Sequence, residues 1–145
     1  MNIKFKKLKE NAVIPQVGTE FSAGSDLRAC IENSIIIEPG MVSIIDTGIA
    51  VEIPEGFFGM VCPRSGLSAK NGITVLNAPG IIDSDYRGEI KCILINHSKT
   101  PFVVENDMRI AQLIITPFQK ANWIESDDLN DSVRGTGKFG STGVF

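Results

Sequence analysis

Ile90-Lys91-Cys92-Ile93-Leu94-Ile95 and Ile110-Ala111-Gln112-Leu113-Ile114-Ile115 decide the fold. Both runs are short and rich in β-branched residues, which suits a pleated strand better than a helix. Both are mostly apolar on the two faces that a period of two would define. A strand in a sheet open to water on one side alternates apolar and polar. Both faces are therefore expected to be covered, by a second sheet or by another subunit. Outward from these runs, helical periodicity is nearly absent. Strand-like stretches fall at residues 3–8, 27–31, 35–37, 41–46, 49–53, 59–62, 74–76, 89–96, 102–104, 109–116 and 122–124. Gly, Pro, Asn and Asp break them at intervals of about ten residues. Pro39-Gly40 and Pro54-Glu55-Gly56 are turns, because Pro presets φ and Gly permits positive φ. One helical turn is expected at residues 65–70. The pattern predicts an all-β fold, a jelly-roll-like β-barrel or sandwich with one short helix and a flexible C-terminal arm.

The chain has 145 residues, 43% hydrophobic and 21% charged, which suits one domain with a real core. Residues 1–125 are expected to form that single β domain. Residues 126–133 turn polar and acidic and read as a linker to a Gly-rich arm, so residues 126–145 form linker and arm. The formal charge of −3 makes the whole chain a poor polyanion binder, so any anion site must be local. No nucleic-acid partner is expected. No apolar run approaches membrane-spanning length, so no membrane is expected either. The charged start, Met1 to Lys7, is followed by no apolar stretch, and the chain is expected to be intracellular rather than secreted. Cys30, Cys62 and Cys92 are odd in number and lack a Cys-x-x-Cys spacing. They read as buried free thiols in a reducing compartment. His97 is the only histidine and is expected in a loop. A multi-His metal site is excluded, and a Ser-His-Asp triad is a poor fit.

Residues 134–143 read Arg-Gly-Thr-Gly-Lys-Phe-Gly-Ser-Thr-Gly, four glycines in ten positions. Gly loses the most chain entropy on ordering, so such a stretch packs poorly by itself. It nonetheless carries Arg134 and Lys138, the hydroxyls of Ser141 and Thr142, and the Phe139 ring. Backbone N–H groups freed by glycines, with cations and hydroxyls, suit phosphate oxygens. An aromatic ring suits a base. The reading is an arm that orders over a nucleotide; its alternative is an unpacked Gly-rich terminus. Gly135-Thr136-Gly137-Lys138 imitates half a Walker A loop. The full pattern needs Gly where Ser132 stands and Ser or Thr where Phe139 stands, so that reading fails.

Four further segments carry polar groups in suggestive places. Pro63-Arg64-Ser65-Gly66-Leu67-Ser68 follows a strand and opens the helical turn. There, free N–H groups, Arg64 and Ser65 can meet phosphate, or Ser65 can simply cap the turn. Residues 80–89, Gly-Ile-Ile-Asp-Ser-Asp-Tyr-Arg-Gly-Glu, look like a β-hairpin between the runs at 74–76 and 89–96. A hairpin backbone can read a pyrimidine edge. The Tyr86 ring can lie on a sugar with no room for a 2′-hydroxyl, and Asp83 can take a proton from water. The plain-turn reading stands beside it, since Asp and Ser form turns readily. Ala23-Gly24-Ser25-Asp26-Leu27-Arg28-Ala29 places an acid just before a strand. Gln112 is a lone amide in an apolar run, which must bond internally or face a ligand.

Taken together and in order, residues 23–29, 63–67, 80–88, 109–113 and 134–143 closely resemble the five motifs of the trimeric dUTPase family. The resemblance spans the chain from residue 23 nearly to its end. It departs at Lys138, where the family usually has Gly, and at Ser68, where it usually has Ala. It implies hydrolysis of dUTP to dUMP and pyrophosphate, which keeps uracil out of DNA and supplies dUMP. It implies Mg²⁺ as cofactor, bound through substrate phosphates and waters, with Asp26 as an outer-shell acid. It implies a homotrimer whose sites are shared among subunits: the first, second and fourth motifs from one, the hairpin from another, the arm from the third. Asp83 resembles the general base that orients water for in-line attack on the α-phosphorus. Arg64, Ser65, Gly66 and Gln112 would hold phosphates. Asn77, Ile81 and Ile82 would read uracil, and Tyr86 would exclude ribose. Arg134, Gly140, Ser141 and Thr142 would close over the phosphates, with Phe139 over the base. The rival enzyme on a related fold is a dCTP deaminase, which relies on a catalytic Glu and lacks such an arm. The rival of another class is a non-catalytic trimeric binding protein on the same fold.

Overall fold

The computed structural model describes residues 1–139 and residue 141. Among the described residues, twelve strands and one helix follow in chain order. They are β1 (Lys4–Lys7), β2 (Gln16–Val17), β3 (Ser25–Arg28), β4 (Ile35–Ile37), β5 (Val42–Asp46), β6 (Ile49–Glu52), β7 (Phe57–Cys62), α1 (Ser65–Asn71), β8 (Ile73–Val75), β9 (Gly80–Ile82), β10 (Lys91–Asn96), β11 (Phe102–Val104) and β12 (Arg109–Pro117). A five-stranded sheet runs β2-β3-β12-β7-β9, and a three-stranded one runs β5-β10-β8. The pairs β1-β6 and β11-β4 complete the set, and every pairing is antiparallel. The all-β, jelly-roll-like expectation with one short helix holds.

All four sheets feed one core. Leu27, Val61, Ala111 and Leu113 come from the large sheet, Ile45, Val75, Cys92 and Leu94 from the three-stranded one. Ile49 and Val51 (β6) and Ile37 and Val104 (β4, β11) close the sides. Among the described residues two polar side chains are fully enclosed, and both are satisfied. Asn96 donates to the carbonyls of Ile37 and Thr100, each at 2.8 Å, and Thr47 donates to that of Ile90 at 2.6 Å. An unsatisfied buried amide costs about 1–3 kcal/mol, so Asn96 fixes how β4 meets the end of β10.

The two deciding runs are strands, but their second faces are only half covered by this chain. In β10, Cys92, Leu94 and Asn96 are buried while Ile93 and Ile95 are intermediate. Ile93 stands opposite Ile44, which is 60% exposed. Three local expectations shift. Residues 122–124 form no strand, since no edge of this chain pairs with them, and Trp123 is 92% exposed. Gly80–Ile82 is a strand that the pattern missed. Finally, β8 and β10 do pair, but residues 80–82 leave that sheet and join the edge of β7, with Gly59 opposite Ile82. His97 lies exposed in a loop, as expected. The three cysteines are free; Cys30 and Cys92 are buried and Cys62 is half-buried. Burial pushes the Cys92 thiol up to about 12. Among the described residues, no helix is long and apolar enough to cross a membrane.

Candidate active site

The central strand β12 sets the first half of the site. Its register places Gln112 opposite Asp26 on β3 and opposite Cys62 on β7. Directly opposed residues share a face of a sheet, so Asp26 and Gln112 lie side by side, with Arg64 two residues beyond Cys62. The Gln112 amide donates to the carbonyl of Pro63 at 2.9 Å, which leaves its oxygen to accept. Gly24 makes room for it, because a Cβ there would collide with the Gln112 side chain. The Arg64 Nε donates to Asp26 Oδ1 at 2.8 Å.

Arg109 joins the group although its place in an alternating pattern points the wrong way. A β-bulge interrupts the β12–β3 register between Arg109 and Ala111. Ile110 and Ala111 are consecutively buried as a result. The bulge changes the phase of the strand, and Arg109 Nη1 reaches Asp26 Oδ2 at 3.1 Å. One carboxylate, 16% exposed, thus holds two guanidiniums. Two positive charges against one leave the row net cationic and receptive to an anion. Arg64 spends its Nε on Asp26 and reaches the Arg109 carbonyl only at 3.4 Å with Nη1. Its outer edge therefore stays available to a ligand.

Ser65 is the first residue of α1, with Arg64 at the N-cap and no side chain capping the helix. The capping alternative for Ser65 therefore fails, and its hydroxyl is exposed. Gly66 is also exposed, with open space above its Cα. Ser68 acts locally, since its hydroxyl donates to the carbonyl of Ile73 at 3.1 Å and ties α1 to β8.

The second half is the loop after β9. Asp83 and Tyr86 are both exposed there, and Tyr86 N–H donates to Asp83 O at 3.1 Å to close the turn. Arg87 Nη1 braces the loop through the carbonyls of Ser84 (2.6 Å) and Tyr86 (2.9 Å). The Tyr86 hydroxyl donates to the carbonyl of Glu89 at 3.0 Å. Glu89 in turn accepts from the backbone N–H of Gly48 at 2.7 Å, which anchors the loop to the β5–β6 turn. A cleft of about 340 Å³ opens here, lined by Ile81, Ile82, Asp83 and Tyr86 with Ile44 and Ile93. Asn77 is exposed and sits over Gly80 at the start of β9. The cleft contains none of Arg64, Ser65 or Gln112. Among the described residues, no hydrogen bond or ion pair links the two groups.

Arg134, Phe139 and Ser141 are exposed, and every hydrogen bond made after Phe118 among the described residues is local, as from Arg134 Nε to Gly137 O at 3.3 Å. Gly140 and Thr142 lie outside the described residues. Among the described residues no group of three His, Cys, Asp or Glu stands ready to ligate a metal. Both Asp26 oxygens are engaged by arginines.

The dUTPase family pattern matches residues 10–143. The deoxyuridine 5′-triphosphate nucleotidohydrolase of Rickettsia bellii is 52% identical over 144 residues, covering 99% of this chain and 96% of that protein. The enzyme of the same name from Rickettsia prowazekii is 50% identical over 146 residues, covering 99% and 98%. Among solved structures, a point mutant of the Staphylococcus phage 80alpha dUTPase superposes with a TM-score of 0.88 at 26% identity, covering 97% of this chain and 98% of that one. Another mutant of that phage enzyme, solved with dUpNHpp, gives 0.87 at 27% identity and 99% coverage of both chains. With its whole length aligned and its β sandwich superposed, the chain belongs to the dUTPase family.

Proposed function

We propose that the protein hydrolyses dUTP to dUMP and pyrophosphate at a site completed by three copies of the chain. The observation that carries this reading is the division of chemistry between the two halves. A cationic row of Arg64, Arg109 and Gln112 suits a triphosphate, and a separate loop offers a carboxylate beside an aromatic ring. Neither half can act alone, which supports sites shared in a homotrimer. The half-covered apolar face of Ile44, Ile81 and Ile93 supports the same assembly, since small monomers rarely leave such faces open.

In this reading Asp83 accepts a proton from a water molecule. The water oxygen attacks the α-phosphorus in line, and the bond from that phosphorus to the bridging oxygen breaks. Pyrophosphate leaves while Arg64, Ser65, Gly66 and Gln112 hold its charge. Positioning and electrostatics supply most of such catalysis, and no covalent nucleophile is needed. Asn77 with the backbone of Ile81 and Ile82 reads uracil, and Tyr86 lies against the sugar. Arg134, Gly140, Ser141 and Thr142 close over the phosphates and Phe139 covers the base. The linker and arm, residues 126–145, act as a unit distinct from the domain of residues 1–125. The donor set here suits phosphate oxygens better than a bare cation, so these residues would take Mg²⁺ together with the triphosphate, with Asp26 as an outer-shell acid. There the ion would supply neutralisation of phosphate charge. The free thiols support a reducing, intracellular setting.

Pyrophosphate release from dUTP, dTTP, dCTP and UTP, each with Mg²⁺, tests the reading. Turnover of dUTP alone is expected. A hydrogen-bonding pocket leaves its groups unpaired with the wrong base, worth ~10⁴-fold in rate. Ammonia released from dCTP would assign the deaminase chemistry instead. Tight dUTP binding without pyrophosphate would assign a binding protein.

A further inference from the structure

We propose that Gly88 is a specificity-determining residue, whose missing side chain forms the seat of the Tyr86 ring and thereby sets the preference for deoxyribose over ribose. The inference rests on the reading of Tyr86 as the residue beside the sugar. A Cβ built on Gly88 would strike the Tyr86 hydroxyl oxygen and lie 2.6 Å from its Cζ and 3.0 Å from its Cε2. Carbon atoms need about 3.5 Å between them, so the ring cannot keep its place over any other residue. The backbone does not demand a glycine there, because the φ of Gly88 lies outside the left-handed region. The demand comes from the ring alone.

The seat has a second wall. The Tyr86 hydroxyl donates to the Glu89 carbonyl, so the ring folds back over Gly88, the second of the two residues between them. That carbonyl is held in turn, because the Glu89 carboxylate accepts the Gly48 N–H and pairs with Lys91 at 3.5 Å. Tyr86 itself is 43% exposed. The Glu89 carbonyl is the hydrogen-bond partner that holds the Tyr86 hydroxyl, and Gly88 leaves the space the ring occupies. A methyl group on residue 88 therefore displaces the ring rather than the loop backbone. The obstacle is the far end of a half-exposed side chain, so Gly88→Ala is expected to fold with its urea midpoint close to the parent's. A displaced ring opens space where a 2′-hydroxyl would sit.

The test compares kcat/KM for dUTP and UTP in the full-length protein and in Gly88→Ala, Tyr86→Ala and Tyr86→Phe. Tyr86 is the only tyrosine of the chain. Labelling with tyrosine enriched at Cζ therefore gives one carbon resonance that reports the hydroxyl's hydrogen bond. In Gly88→Ala that resonance is expected to move. The dUTP-to-UTP ratio is expected to fall by ~10-fold or more, since a misplacement of about 1 Å at a reacting site can cost ~100-fold. Tyr86→Phe, which keeps the ring and removes the tether, should lower the ratio by less. An unchanged ratio in Tyr86→Ala would remove Tyr86 from sugar reading altogether, and the fault would then lie with that reading. If Tyr86→Ala lowers the ratio but Gly88→Ala keeps it within about twofold, slowing both substrates alike, the inference is overturned. A Cζ resonance unmoved in Gly88→Ala overturns it as well. Should Gly88→Ala not fold, the double variant Gly88→Ala/Tyr86→Ala decides: with no ring to strike it is expected to fold, and its failure to fold would reject the seat.

Discussion

Asp83 stands on an exposed loop, not in a buried pocket. Its place is set by backbone: the turn closed by Tyr86 N–H, and the Arg87 guanidinium across two carbonyls. Asp83→Asn keeps the size and shape of the side chain and touches neither brace. The loop should hold its form, and nucleotide binding should survive. Loss of a general base costs ~10²–10⁴-fold, so turnover of dUTP should fall by that much. The check is kcat beside the dissociation constant of a non-hydrolysable dUTP analogue. A variant turning over near the parent rate would show that the water is activated elsewhere. At this scale the sequence was most legible where a residue contradicts its surroundings. Gln112 stands out as one amide in an apolar run, and it does sit on the Asp26–Arg64 row. Arg109 does not stand out, because its approach to Asp26 depends on a bulge that alternation along the strand cannot reveal.

Between elements, one ion-pair network ties the N-terminal segment to the site loop. Asp46 on β5 accepts from Lys9 at 2.9 Å and from Lys91 on β10 at 2.8 Å, and Lys91 also faces Glu89. Hydrogen bonds from Lys91 and Lys9 hold the Asp46 carboxyl below its ordinary 3.8. Its stabilisation is therefore complete above that value and is lost as pH falls through the depressed one. The hydrogen bonds they donate to Asp46 raise Lys9 and Lys91 above 10.5. Their share is complete below 10.5 and lost as pH rises through the raised values. Pairs this exposed are screened by solvent and contribute little each. Asp46→Asn should thus lower stability slightly at neutral pH, with the difference shrinking in acid and in strong base. Urea unfolding of both proteins across pH checks this; a constant gap would mean the network contributes nothing electrostatic. Strand existence was legible at this scale because each core run carries its own pattern. Pairing was not: Gly80–Ile82 is a strand only because the distant edge of β7 accepts it. Residues 122–124 have the pattern and no edge within the chain.

At the scale of the whole molecule, the separation of the two halves makes a quantitative claim. If the phosphate row comes from one subunit, the Asp83 loop from a second and the arm from a third, two different defects can complement each other. Chains carrying Asp83→Asn keep an intact arm, and chains ending at residue 133 keep an intact loop. Each should be nearly inactive alone. Unfolded together in equal amounts and refolded, they assemble at random. A site then works when its loop comes from a truncated chain and its arm from an Asp83→Asn chain. Each condition is met about half the time in a random closed ring, so about one quarter of the sites should recover. The arrangement of subunits decides the outcome, since a site contained in one chain would recover nothing. So would a site taking loop and arm from the same neighbour. The measurement is dUTP turnover of the mixed assembly against the parent, with light scattering to confirm a trimeric mass in each sample. Recovery near one quarter supports three contributing chains; no recovery in fully assembled trimers would rule that arrangement out. A monomeric mass with full activity would remove sharing altogether and require the phosphate row and the Asp83 loop to meet within one chain.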